Sequence, residues 1–168
     1  MNHMNKKIII ANWKMNPSSI GEAIRLTKSI LAAQLPKNIE LIIAPPFIYL
    51  ESIKKLLPKE IKLGAQDMSF AERGAYTGEI SGLMIKNIGC DYVIIGHSER
   101  RYKIGETDET INLKLKETFK SGLNPILAVG EKERSDDIVK VLNSQIKKSL
   151  DGVEASEIGR LVIAYEPV

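Results

Sequence analysis

Six aliphatic runs recur along the chain, at residues 7–11, 39–44, 61–65, 92–95, 125–129 and 161–165, and amphipathic segments separate them. Runs this continuous, such as Lys-Ile-Ile-Ile-Ala at the start, belong to strands buried on both faces rather than to the alternating strands of a half-wet sheet. A parallel sheet covered by helices is therefore implied. Between the first two runs, residues 18–33 place Ile20, Ala23, Ile24, Thr27, Ile30 and Leu31 at three- and four-residue steps behind Pro17, Ser18 and Ser19. That is a helical stripe with a start signal. Segments 47–57, 81–88, 108–120 and 136–150 repeat the pattern and close at Pro58, Gly89, Gly122 and Gly152. Five strand–helix units and a sixth strand, with no linker-like stretch, make residues 1–168 a single α/β domain. Its sheet is either open and doubly wound or curled into a (β/α) barrel, and periodicity does not separate these. Asn12-Trp13-Lys14 follows the first run where a dinucleotide fold would carry its glycines, so that reading loses its main support.

Composition removes several classes of function. With 43% hydrophobic and 27% charged residues the chain has the balance of a soluble globular protein. None of its aliphatic runs nears the roughly 20 residues that span a bilayer, so no membrane role is expected. Residues 1–7 are polar and no apolar signal region follows them, which points to the cytoplasm. One cysteine, Cys90, and two histidines leave no material for a disulfide or a thiolate zinc site, so neither metal nor cofactor is expected. A formal charge of +3 without a basic tract suits a small anion and gives no case for nucleic acid.

The polar residues that end the runs are more informative, because in a barrel the carboxyl ends of the strands build the active site. Asn12 and Lys14 follow the first run, His97-Ser98-Glu99-Arg100-Arg101 the fourth, Gly130-Glu131 the fifth and Glu166 the sixth. Each has an ordinary alternative. Lys14 can be a solvated charge and His97 a satisfied buried imidazole. Arg100 and Arg101 fit ion pairs with Glu99, Glu106 or Asp108 better than a substrate. Cys90 reads as an inert core thiol, Trp13 and Tyr165 as packing groups, and His3 as part of a polar leader. Glu166 is hardest to set aside, since a carboxylate closing an apolar strand must be paired, solvated or functional.

Six ordered blocks carry a resemblance: Ala11-Asn12-Trp13-Lys14-Met15-Asn16, Gly64-Ala65-Gln66-Asp67, Gly74-Ala75-Tyr76-Thr77-Gly78-Glu79, Ile95-Gly96-His97-Ser98-Glu99-Arg100-Arg101, Gly105-Glu106-Thr107-Asp108-Glu109 and Ala164-Tyr165-Glu166-Pro167-Val168. In order and spacing they resemble the triosephosphate isomerase family, from about Lys7 to the last residue. The resemblance implies a TIM-type (β/α)8 barrel, here incomplete with six strands and five helices. It also implies an isomerase of glycolysis and gluconeogenesis, interconverting D-glyceraldehyde 3-phosphate and dihydroxyacetone phosphate without a cofactor. Glu166 would be the base and His97 the electrophile. In that family, a much-used worked case of pKa tuning, the histidine acts as a neutral imidazole and a closing lid excludes water. Lys14 and Asn12 would be catalytic and bind the substrate, with Ser98 and Glu99 supporting them. Thr77 and Gln66 would belong to a homodimer contact formed by residues 66–79.

Two residues depart from the family's pattern: Ala128 replaces a cysteine and Ile104 an aromatic, both read as packing changes. Eight β/α units take about 250 residues. The resemblance therefore implies that the lid, two further strands and three helices, which supply the phosphate-gripping amides, lie outside this sequence. Impaired or absent turnover is expected of the 168 residues alone, and two apolar parallel edges are expected to be left open.

Overall fold

In the computed structural model, which describes residues 7–134 and 137–167, every aliphatic run becomes a strand. His3, Asp136 and Val168 lie outside the described residues. The strands are β1 (Lys7–Asn12), β2 (Ile39–Ala44), β3 (Lys62–Ala65), β4 (Tyr92–Ile95), β5 (Asn124–Val129) and β6 (Val162–Tyr165). All are parallel, in the sheet order 1-2-3-4-5-6. Register runs from Lys7 opposite Ile39 on one side to Val129 opposite Tyr165 on the other.

The helices are α1 (Ile20–Ala32), α2 (Leu50–Lys54), α3 (Gly82–Ile88), α4 (Asp108–Lys120) and α5 (Ile138–Ser149). Four begin at a side-chain cap: Ser19, Ser81, Thr107 and Asp137 each accept from a backbone N–H three residues on. Such a cap contributes about 1 kcal/mol. The segment 47–57 is not one helix. Pro45 and Pro46 in front and Pro58 behind leave room for a 3₁₀ turn, Phe47–Tyr49, and the five-residue α2. Two turns carry no apolar period and so escape a periodicity reading. They are a wide π-type turn at Arg100–Ile104 and a 3₁₀ turn at Ala155–Arg160.

Alternate residues of each strand face two cores. Outward-facing Leu63, Ala65, Val93, Ile95, Leu127 and Val129 pack on Ile53, Ile85, Ile111 and Leu115 of the helices. Leu41 and Ile43 pack on Ile30 and Leu31 of α1. Each fully buried aliphatic contributes roughly 1.5–3 kcal/mol. Inward-facing Ile10, Ile42, Ala44, Tyr92, Ile94, Ile126, Val162 and Ala164 form a second cluster. Side chains from β1 and β6, the two ends of the sheet, share that cluster, so the sheet curls rather than lying open. The fold is an incomplete (β/α) barrel, as expected. The edge strands keep apolar surface in solvent: Ile8 and Ile9 on β1 are 41% and 46% exposed, and Ile163 on β6 is 49% exposed. Among the described residues no helix is long and apolar enough to cross a membrane.

Candidate active site

The carboxyl ends of the strands meet on one rim. At the end of β1 the Trp13 N–H continues the ladder to Ala44 O at 3.0 Å, and the chain then turns sharply. Lys14 sits at φ 55°, the left-handed region that non-glycine residues rarely occupy. Its N–H donates to Asn12 Oδ1 at 2.9 Å, and its carbonyl accepts from Gln66 Nε2 at 2.8 Å. Lys14 Nζ lies 3.3 Å from Glu99 Oε1, a half-exposed pair worth little to stability but enough to aim the ammonium group.

Past β4, Gly96 adopts φ 74°, where an added Cβ would stand 2.9 Å from the Arg101 guanidinium. The turn delivers His97, which is buried. Its Nδ1 accepts from the Glu99 N–H at 3.2 Å, closer than the Glu99 carboxylate at 3.4 Å. A nitrogen accepting an N–H is unprotonated, so the neutral ring carries its proton on Nε2. Nε2 lies 2.8 Å from Glu166 Oε1.

Glu166 follows β6, and its N–H donates to Val129 O at 2.9 Å. Oε2 accepts from the Ser98 N–H at 2.8 Å. Partial burial pushes this carboxyl up, but the hydrogen bonds from His97 and the Ser98 backbone outweigh it and hold the group below its ordinary value. Behind it stands Gly130, where an added Cβ would lie 2.1 Å from Glu166 O. Gly130 is pinned from the other side. Its N–H donates to Gln145 Oε1, and its carbonyl accepts from Gln145 Nε2 and the Tyr102 hydroxyl, each at 2.9 Å.

These ends enclose a cleft of about 320 Å³ lined by Asn12, Lys14, His97 and Glu166 over a floor that includes Ile94, Ala128 and Ala164. An acid–base pair, a cation and an amide therefore face one volume. A groove of about 540 Å³ between α4 and α5 is larger, but it lies on the helical exterior and contains none of the rim residues.

The other predicted residues separate cleanly. Arg100 binds Glu106 and Asp67 at 2.7 and 2.9 Å, and Arg101 binds Asp108 at 2.6 Å, so both arginines are structural. Lys114 bridges the Asp67 and Glu106 carboxylates beneath them, completing a largely buried cluster that periodicity does not announce. Cys90 is buried in the outer core, and burial pushes its thiol up to about 12. Tyr165 donates to Glu131. Ala128 is a floor residue of the cleft, whereas Ile104 is 63% exposed. Thr77 is exposed and is not among the residues lining this chain's own cleft. Gln66, at the base of the same arm, commits its amide to Lys14 O and Ala44 O. Gly130, Gln145 and Tyr102 support the site without any sequence signal beyond position. Among the described residues, no group of His, Cys, Asp and Glu is arranged to hold a metal ion.

The family model described as Triosephosphate isomerase matches residues 7–168. The triosephosphate isomerase of Thermoanaerobacter pseudethanolicus is 45% identical, the match covering 98% of this chain and 68% of the relative. That of Clostridium tetani is 43% identical, with 98% and 66% covered, and that of Dehalococcoides mccartyi strain CBDB1 is 48% identical, with 98% and 65% covered. The chain spans about two thirds of the length of the curated relatives it matches. A curled parallel sheet with lysine, histidine and glutamate on its rim, matched over nearly its whole length, places the chain in the triosephosphate isomerase family.

Proposed function

We propose that the chain carries the proton-transfer machinery for interconverting D-glyceraldehyde 3-phosphate and dihydroxyacetone phosphate, a step of glycolysis and gluconeogenesis in the cytoplasm. One observation supports this above the rest: the Glu166 carboxylate and the His97 Nε2–H face each other across 2.8 Å at the mouth of a cleft that also holds Lys14. Substrate entering there would exchange the hydrogen bonds that now restrain Glu166. Freed of those donors and dried, the carboxylate becomes a stronger base. It would take the proton from the carbon beside the carbonyl, and the electron pair would move onto the carbonyl oxygen as an enediolate. His97 Nε2–H would donate to that oxygen and pass its proton between the two oxygens, while Glu166 returned its proton to the neighbouring carbon. Lys14 would balance the phosphate and enediolate charge, with Asn12 as a further donor. No cofactor enters this balance.

Residues 66–79 would be the docking arm for a second copy. The base is fixed by the Ser69 N–H on Ile80 O at 2.8 Å, the Phe70 and Tyr76 rings meet edge to face at 5.7 Å, and Thr77 stands exposed. In the 168-residue chain the cleft opens to solvent along apolar β1 and β6 edges, which supports slow turnover and loss of phosphate from a wet enediolate as methylglyoxal. The same edges favour a second reading, a half-barrel that acts only when a complementing chain covers them.

Glyceraldehyde 3-phosphate conversion by the chain and by Glu166→Asp tests both readings. Weak turnover that falls about 100-fold on shortening the base supports the isomerase, since a displacement near 1 Å costs that much. Turnover indifferent to Glu166 refutes it. No turnover until a complementing chain is added supports the second reading.

A further inference from the structure

Lys14 owes its direction to two side chains that hold the two polar ends of its own backbone. Asn12 Oδ1 accepts the Lys14 N–H at 2.9 Å, and Gln66 Nε2 donates to the Lys14 carbonyl at 2.8 Å. The second proton of Gln66 Nε2 goes to Ala44 O at 2.9 Å, which also accepts the Trp13 N–H at 3.0 Å. Gln66 therefore reaches from the end of β3 across the end of β2 to the loop after β1, and both its donors are satisfied on backbone carbonyls. A non-glycine residue at φ 55° persists only where its surroundings over-determine it. A relaxed Lys14 peptide would swing the side chain away from Glu99 and the cleft that it lines.

We infer that Gln66 is a positioning residue for Lys14, holding its backbone in the left-handed conformation that points the ammonium group into the cleft. The inference rests on the isomerase reading for its catalytic consequence but not for its geometry. Asn12 has the complementary role: with Oδ1 on the Lys14 N–H, its Nδ2 group is the donor left for a ligand.

The test uses the full chain with Gln66→Met, which keeps length but removes both donors, and Gln66→Glu, whose carboxyl can donate one proton only when protonated. Three readouts are followed: the thermal melt, the strong intraresidue amide–Hα NOE that marks positive φ at Lys14, and isomerase turnover. The expected result for Gln66→Met is a cooperative melt, loss of the Lys14 NOE, and a kcat lower by about 10- to 100-fold. Gln66→Glu should behave the same at neutral pH and regain part of the NOE on acidification. A lowered melting temperature with the Lys14 NOE and kcat intact would assign Gln66 to stability alone and overturn the inference. Unchanged readouts in both variants would overturn it as well. If the NOE disappears while the parent chain shows no turnover either alone or with a complementing chain, the positioning role stands and the isomerase reading is what fails.

Discussion

A single methyl group at Gly130 should separate the fold from its site. Gly130 lies outside the left-handed region, so no positive-φ strain opposes alanine there. The obstacle is space, because the added Cβ would stand 2.1 Å from Glu166 O and 3.0 Å from the Glu166 carbonyl carbon. Ordinary contact needs about 1 Å more. Gly130 cannot supply that movement, since Gln145 and Tyr102 hold its N–H and carbonyl from behind. The end of β6 has to yield, stretching the Glu166 N–H to Val129 O bond and carrying the carboxylate off His97 Nε2 and the Ser98 N–H. Overpacking of this kind costs about 1–3 kcal/mol. For a domain of this size that lowers the melting temperature by several degrees, at about 2–4 °C per kcal/mol. A base displaced by about 1 Å should lose about 100-fold in turnover. Gly82→Ala is the matched control: its Cβ would lie 2.3 Å from Ser121 Oγ and 2.8 Å from Met68 Cε, in the helical layer away from the cleft. Calorimetry and isomerase turnover on both variants make the comparison, with exchange of the substrate's carbon-bound proton into D₂O as a second catalytic readout. Both should melt lower, and only Gly130→Ala should lose catalysis. A Gly130→Ala protein that melts and turns over like its parent, or a Gly82→Ala protein that loses as much turnover, refutes the reasoning.

Lys114→Met should leave the Asp67 and Glu106 carboxylates with only the part-exposed Arg100 to balance them, at a cost of about 3 kcal/mol in urea unfolding; a loss under 1 kcal/mol would contradict the role of Lys114 in the cluster. Burial, only partly offset by Lys114, raises the Asp67 carboxyl to about 6 from 3.8. The folded chain therefore binds the extra proton between those values, and this group's share of stability grows as pH falls toward 3.8 and is lost as pH rises through 6. Asp67→Asn removes that share, so urea midpoints should drop more steeply between pH 6.5 and 4.5 than in the parent; parallel curves would refute the raised value. Cys90, 2% exposed and with its thiol pushed up to about 12, should resist a thiol-specific disulfide reagent at pH 8 until the chain unfolds. Native-state labelling at the rate of a free thiol would contradict its burial.

The strands were legible to within a residue because burial on both faces writes itself as unbroken aliphatic sequence, and nothing else in the chain produces that signal. Lys14, His97 and Glu166 were legible for the opposite reason: each is a polar residue where such a run stops. Gln66 meets the same criterion, and the resemblance groups it with the docking arm, yet its hydrogen bonds depend on how the ends of β1, β2 and β3 lie side by side. The turn at Ala155–Arg160 was illegible because Arg160 fixes it through Leu123 O, Asn124 Oδ1 and the Phe119 ring rather than through an apolar stripe. Periodicity does not choose between an open sheet and a barrel, and the resemblance alone implies the barrel. The inward face holds Ile10, Ile42, Tyr92, Ile94 and Ile126 as well as Ala44, Gly64, Ala128 and Ala164, so residue size does not tell it from the face that carries Leu63, Ala65, Val93 and Leu127. At Gly64 an added Cβ would meet Ile42 Cγ2 at 3.1 Å and Tyr92 Cβ at 3.7 Å, so neighbouring side chains already fill the space it leaves. What curls the sheet shows only in the contacts: Ile10 of β1 and Val162 and Ala164 of β6 share one inward cluster, which brings both ends of the sheet around the cleft that Lys14 and Glu166 line. Burial on both faces writes the runs into the sequence, and the cluster shared by the first and last of them, which no single run announces, turns a row of strand ends into a rim.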